Sequence, residues 1–392
     1  MNYLILFFII FMLILGWINQ KNKYLAYTIM LIFFILVCFS YDSYDYINYN
    51  RIYDIAAGGN TAGYEPLFEL LMKGASILGL NYDQFRMVCT AIEIALINST
   101  IKRYCGNNAF VWSMFIVFPG WLLTTLFRFT IGFTIIIFGI RYLIEAKERQ
   151  YASEKVGNHN KHVIKSSFLD INVVKYIVCV VIAALIHNSF WIMLIFILVK
   201  KFKTKTLLII SCAVVAIIWV TGGTEIARSL TEILSLRDSY SERLLSGEYR
   251  NLNGMIYSIF RQLLVFGFGF LAVKYYKFGR NDYAKCAIED RYMSLIIPIN
   301  SVGIMLLGVA YFTSNTRLCH VIILLNFIAY GICINSKYRR TRTTALLKII
   351  ALGVALGLSY LMCTRESSDA FNLVLKMIFD TNKFINLFRG VV

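Results

Sequence analysis

The chain has 392 residues, 58% of them apolar and only 16% charged, with a mean hydropathy of +0.65. Soluble domains carry about 25% charged residues, so this composition excludes an aqueous globule and predicts an all-α polytopic integral membrane protein. The 9 Cys are scattered through apolar stretches with no C-x-x-C and no His/Cys cluster at metal spacing, which argues against a disulfide framework, a metal site or a metal cofactor.

Apolar runs predict about ten full transmembrane helices, near 3–19, 24–40, 84–101, 109–126, 128–146, 207–221, 255–276, 292–312, 317–336 and 344–363. At ~1.5 Å per residue each crosses or nearly crosses a ~30 Å hydrocarbon layer. The first run has Lys21 and Lys23 after it and no basic residue before it. That order predicts a retained helix with an outer N-terminus. Threading from there places six basic segments inside, and these hold 25 Lys and Arg against 7 Asp and Glu. The net charge of +17 is therefore explained by topology, and no nucleic-acid partner is expected.

The first large outer loop, 41–83, opens dense in Tyr and Asp and continues as an amphipathic helix at about 66–80. Glu65, Glu69, Lys73 and Ser76 share one face of it, and Leu67, Leu70, Leu71, Ala75 and Leu78 the other. It reads as lying on the outer surface with its charged face in water. Most Tyr of 41–53 are expected in an interfacial aromatic belt, with stacking on sugar rings as the alternative. The cytoplasmic loop 147–175 reads as a solvated connector, and 222–254 is the second outer loop. Residues 371–389 are a candidate interfacial helix. The whole of 1–392 is expected to form a single transmembrane domain.

The run 176–199 is long enough for one span, but Lys175 precedes it and Lys200, Lys201, Lys203 and Lys205 follow it. A short helical hairpin turning near His187-Asn188-Ser189 keeps both basic ends inside, whereas a continuous helix would invert every later loop; the alternative is a continuous helix with one neighbouring span miscounted. Polar backbone at that depth must be buried in protein or line a wet cavity.

Ionisable groups at membrane depth are costly and point to function. Arg128, Arg261 and Arg317 lie at outer helix ends, with Arg51 and Arg86 on the same side. Several guanidinium groups at one depth can bind an anion through two-point contacts; snorkelling to headgroups is the structural alternative for each. His187 can exchange a proton near neutral pH or serve as a packing residue. Asp45 and Glu65, with Asp42 and Asp54, are candidate bases or sugar contacts. Glu93 is expected to pair with an Arg on a neighbouring helix. No Walker-type loop, G-x-G-x-x-G or H-E-x-x-H occurs, so nucleotide and metalloprotease chemistry lack a motif.

Asp45-Tyr46 with Tyr49, Glu65-Pro66, Arg128, and His187 with Ser189 together resemble the EpsG-like branch of bacterial Wzy-type polysaccharide polymerases, by motif over roughly 40–200 and by topology elsewhere. The resemblance implies a glycosyltransferase at the outer face of the bacterial cytoplasmic membrane. It would join undecaprenyl-pyrophosphate-linked oligosaccharides into capsule, O-antigen or exopolysaccharide, using no separate cofactor. A chain-length regulator protein and membrane lipid are candidate partners. Arg128, Arg261, Arg317 and Arg51 would hold pyrophosphate, and His187, Asp45 or Glu65 would take the acceptor's proton. A lipid-linked oligosaccharide flippase or an O-antigen-type ligase are the competing functions. A flippase would be expected to carry an internal repeat and charges near the midplane.

Overall fold

The computed structural model describes residues 2–41, 44–156, 170–220, 252–278, 287–307, 316–335, 341–365 and 380–387. Among them the regular elements are helices, with one isolated bridge between Ser40 and Asn382. We label the main helices α1 (Asn2–Ile18), α2 (Lys23–Cys38), α3 (Tyr44–Ala57), α4 (Pro66–Ile77), α5 (Tyr82–Cys105), α6 (Ala109–Phe115) and α7 (Phe127–Val156). They continue as α8 (Ile171–Ile186), α9 (Thr204–Val220), α10 (Leu252–Phe278), α11 (Ala287–Gly303), α12 (His320–Asn335), α13 (Thr341–Arg365) and α14 (Lys383–Leu387).

Four of the described helical stretches are long and apolar enough to cross a membrane: Phe127–Ala146, Ile259–Tyr276, Arg317–Asn335 and Thr344–Leu361. Phe7–Ile18, Lys23–Cys38, Ala109–Gly120, Ile171–Ile186 and Thr204–Val220 are apolar but shorter. The expected span at 109–126 is broken, because Pro119 has no N–H and forces the residue before it out of the helical region. Phe118 accordingly sits at φ −165°, ψ 129°, in extended backbone. The connector expected at 147–175 begins as helix, since α7 continues to Val156. Most of the outer loop 222–254 lies outside the described residues, as do 371–379 and 388–389 of the C-terminal candidate helix; α14 lies in its described part.

The chain packs as two compact units, 1–138 with 185–187 and 330–392, and 139–184 with 188–329. In the first unit α1, α2 and α6 pack against one another. Gly16 permits this, because a Cβ there would lie 2.3 Å from Ser113 Oγ and 2.5 Å from Ile29 Cδ1. Lys348 Nζ donates to the carbonyl of Ile18 (3.0 Å) and Trp17 Nε1 to that of Lys348 (3.1 Å), clasping α13 to the end of α1.

The second unit is held by a polar clamp between helices. Asn300 and Asn326 exchange side-chain hydrogen bonds at 2.8 and 3.1 Å, and Asn326 Nδ2 also donates to the carbonyl of Val265 at 3.0 Å. Both Asn are fully buried, where such bonds act as glue between apolar helices. Gly269 lets α10 approach the pair, since a Cβ would lie 2.7 Å from Asn300 Nδ2.

The two arms of the 176–199 run, 176–184 and 188–199, belong to this unit, and the run doubles back. α8 ends before His187, and the chain continues as a 3-10 helix, Asn188–Ile197. Tyr176 Oη donates to the carbonyl of Met193 at 2.8 Å, and Asp170 lies 3.7 Å from Lys200 Nζ. A straight helix would separate Asp170 from Lys200 by ~45 Å. The two basic ends of the run therefore meet, as a hairpin requires.

Candidate functional site

The candidate site is built in the first unit, where α3 and α4 lie beside the start of α7. The chain turns at Thr124–Leu126, and Thr130 Oγ1 donates to the carbonyls of both Leu123 and Leu126 (2.9 Å each), fixing the first turn of α7. Phe127, Phe129 and Ile131 are buried. Arg128, on the intervening position, is held across from α4.

Glu65 is the N-cap residue of α4 and Pro66 its first helical residue, a position where a missing N–H costs nothing. The Glu65 side chain makes no capping bond; it forms an ion pair with Arg128 Nη1. The two side chains are 10% and 15% exposed. The Arg128 guanidinium lies 4.7 Å from the Tyr64 ring and 6.0 Å from Phe68. Its Nε is buried with no hydrogen-bond partner among the described residues.

Two residues outside the sequence-derived candidate set organise this pair. Glu69, buried, accepts the Tyr64 N–H at 2.8 Å, and Asn48 Nδ2 donates to the Tyr64 hydroxyl at 3.1 Å. The sequence placed Glu69 on a water-facing side of its helix, and here the expectation fails. Phe68, Glu69, Met72 and Ala75 form the buried face, while Leu70, Ile77 and Leu78 are 63%, 85% and 77% exposed. The spacing that put Glu65 and Glu69 on one face was a usable signal; the medium facing each side was misread.

Beneath the pair is a continuous aromatic core. Tyr49 meets Tyr64, Phe68 and Phe127, Tyr53 meets Tyr82 and Phe85, and Tyr41 meets Tyr46 edge-on. Tyr41, Tyr49 and Tyr53 are buried, so these residues form packing rather than the expected interfacial belt. Burial pushes the Tyr49 hydroxyl up to about 12, against a smaller opposing effect of Arg128.

His187 stands at the break after α8, half-buried, with its ring edge-on to Phe129 at 5.6 Å. Ile186 packs into the aromatic core beside Phe127 and Ile131. The start of α7 thus gathers Arg128, its partner Glu65, and His187 through the neighbouring Phe129. Asp45 is in the first turn of α3, one turn before Tyr49. Arg51 follows the inward-facing Tyr49 by two residues and is exposed on the far side of that helix.

The remaining arginines separate. Arg86 is buried and donates to the carbonyls of Val37 (2.6 Å) and Ser40 (3.1 Å), between the rings of Tyr46 and Tyr82. It caps the end of α2, a structural task. Arg261 and Arg317 belong to the second unit, where Arg261 is fully buried with Cys319 in hydrogen-bonding range and Arg317 is exposed. Glu93 does not form the expected pair. It is 1% exposed, and neither carboxyl oxygen has a hydrogen-bond partner among the described residues, because the guanidinium of Arg86 is committed to α2.

Helices of this apolarity, enclosing an arginine–carboxylate pair, a histidine at a helix break and an aromatic floor, define a multi-pass helical membrane protein with a polar site at one helix start. The chain belongs to the EpsG family, whose model matches residues 23–153 and 165–374. That family is Wzy-type polymerase-like, which makes the chain polysaccharide polymerase-like in function. The matched segments include Asp45, Glu65, Arg128 and His187. Comparisons with curated proteins and with solved structures give no match.

Proposed function

We propose that the protein is a membrane glycosyltransferase that polymerises undecaprenyl-pyrophosphate-linked oligosaccharide repeat units at the outer face of the bacterial cytoplasmic membrane. The observation that carries this reading is the state of Arg128: one terminal nitrogen is held by Glu65, while Nε is a buried donor with no hydrogen-bond partner among the described residues. Such a donor is expensive to leave unsatisfied, at about 1–3 kcal/mol, and an incoming phosphate oxygen would satisfy it.

In the reaction, an acceptor hydroxyl attacks the anomeric carbon of a lipid-linked chain. The new glycosidic C–O bond forms as the C–O bond to pyrophosphate breaks, and undecaprenyl pyrophosphate departs with the bonding electrons. Arg128 stabilises the charge gathering on the leaving oxygens. Glu65 aims the guanidinium before substrate arrives, and Tyr64 keeps its plane by stacking. His187, one residue across from Arg128 through Phe129, accepts the hydroxyl proton. Asp45, in the first turn of α3, would contact the sugars. The outward orientation rests on the charge distribution of the loops.

Purified protein in detergent micelles, given lipid-linked repeat units, should yield a ladder of lipid-linked polymers. Micelles have no sides, so a flippase would leave the units unchanged. A ligase would transfer sugar only when a different acceptor is supplied. Either of those outcomes would replace the polymerase reading.

A further inference from the structure

The C-terminal segment builds a feature that the proposed polymerase site does not use. Asn382 Nδ2 donates to the carbonyl of Ile35 at 3.2 Å, and the Lys383 N–H to that of Phe39 at 2.9 Å. Asn382 also bridges Ser40, and Phe384 meets Phe39 at 5.7 Å between ring centres. Ile385 is buried against Ile9, Ile32 and Leu36. The segment is thereby strapped across the end of α2.

Between the strap, α1 and α2 lies a cavity of about 270 Å³ whose walls, including Phe8, Ile9, Ile32, Ile35, Leu36 and Phe384, are wholly apolar. That volume equals about nine water-sized groups at ~30 Å³ each, enough for part of a hydrocarbon chain. Beside it on the strap stands Lys383, exposed, with its ammonium 3.7 Å from the Tyr41 ring centre.

We propose that this groove holds one acyl chain of an anionic phospholipid, with the lipid's phosphodiester against Lys383. An apolar groove on a membrane protein selects hydrocarbon. One ammonium matches the single negative charge of a phosphodiester, whereas a pyrophosphate would leave charge unanswered there. Basic groups at the membrane surface favour anionic headgroups. The bound lipid would join α1, α2 and the strap. It would also steady Tyr41, which packs at 5.0 Å on Tyr46, which in turn stacks on Arg86 at 4.9 Å.

The test is native mass spectrometry of the full chain, stripped of lipid and then offered equal amounts of phosphatidylglycerol, phosphatidylcholine and undecaprenyl phosphate. The expected result is one retained phosphatidylglycerol per chain. Ile35→Trp, which fills the groove, should lower retention at least tenfold. Lys383→Gln alters an exposed group without repacking the groove, and should cut the preference for phosphatidylglycerol over phosphatidylcholine about fivefold. Unchanged preference in Lys383→Gln would overturn the proposal, as would undecaprenyl phosphate displacing phosphatidylglycerol from the wild-type chain. Both readouts are independent of polymerisation.

Discussion

Replacing Glu65 by Gln removes the anion facing Arg128 while keeping a side chain of nearly the same shape. Exposed ion pairs contribute ~0.2–1 kcal/mol, and breaking a fully buried one costs ~3–5 kcal/mol. With side chains 10% and 15% exposed, the Glu65–Arg128 pair falls between these limits, at a coupling of ~1–3 kcal/mol. Stacking on Tyr64 adds ~0.5–2 kcal/mol that Glu65→Gln leaves intact. Arg128→Lys keeps the charge but loses the planar fork and most of the stacking. A double-mutant cycle over Glu65→Gln and Arg128→Ala, each of which removes one partner, read by chemical denaturation in detergent, measures the coupling.

Activity should follow a different order from stability. Arg128→Ala removes a positioned donor for the leaving group, so polymerisation should fall ~10²–10³-fold, and Arg128→Lys should lose much of the same. Glu65→Gln leaves the guanidinium present but poorly aimed, and should lose about tenfold, the equivalent of ~1.4 kcal/mol. Glycan ladder length at matched expression is the assay. A coupling below ~0.5 kcal/mol would show that the pair does not hold Arg128, and normal long-chain glycan from well-folded Arg128→Ala would remove it from the site.

His187→Gln keeps hydrogen bonding but cannot carry a proton, so turnover should fall ~10²–10⁴-fold at normal expression; a near-normal rate would make His187 a packing residue. Single cysteines at 170 and 203 should label from the same side of the membrane, because Asp170 meets Lys200, and labelling from opposite sides would refute the hairpin. The folded state keeps the Tyr49 proton up to about pH 12, whereas the unfolded chain loses it near ~10. This stabilisation is complete below pH 10 and is lost as the pH rises toward 12, at up to ~1.4 kcal/mol per unit. Tyr49→Phe should flatten that part of an unfolding-versus-pH curve, and an unchanged slope would contradict the burial of the hydroxyl.

Helical class and family were legible because apolar run length and short motifs are local properties. The hairpin was legible through charge: Lys175 and Lys200 could not both be cytoplasmic unless the run between them turned, and the Asp170–Lys200 contact brings those ends together. Span lengths were harder to read, because Pro119 divides a run whose hydropathy is continuous. The separate fates of the arginines were not legible at all. Arg86 and Arg128 both stand near helix starts, yet one meets the carbonyls ending α2 and the other meets Glu65. Those partners come from helices 46 and 63 residues away in sequence, and periodicity carries no information about them.

Glu69 shows the physical limit most directly. A helix with two acids on one face and leucines on the other has the same pattern whether it floats on a protein or borders a bilayer. In water the leucines turn inward. Against hydrocarbon the preference reverses wherever the protein can supply hydrogen bonds to the acids. Glu69 receives the Tyr64 N–H and Glu65 the Arg128 guanidinium, while Leu70, Ile77 and Leu78 face outward. The outward leucines leave the opposite face of α4 to the protein, where Glu69 receives the Tyr64 N–H and Glu65 meets Arg128 at the start of α7. A charged face on a short helix between membrane spans is for this reason better read as facing the protein's own polar groups, once a cation within reach is available to receive it.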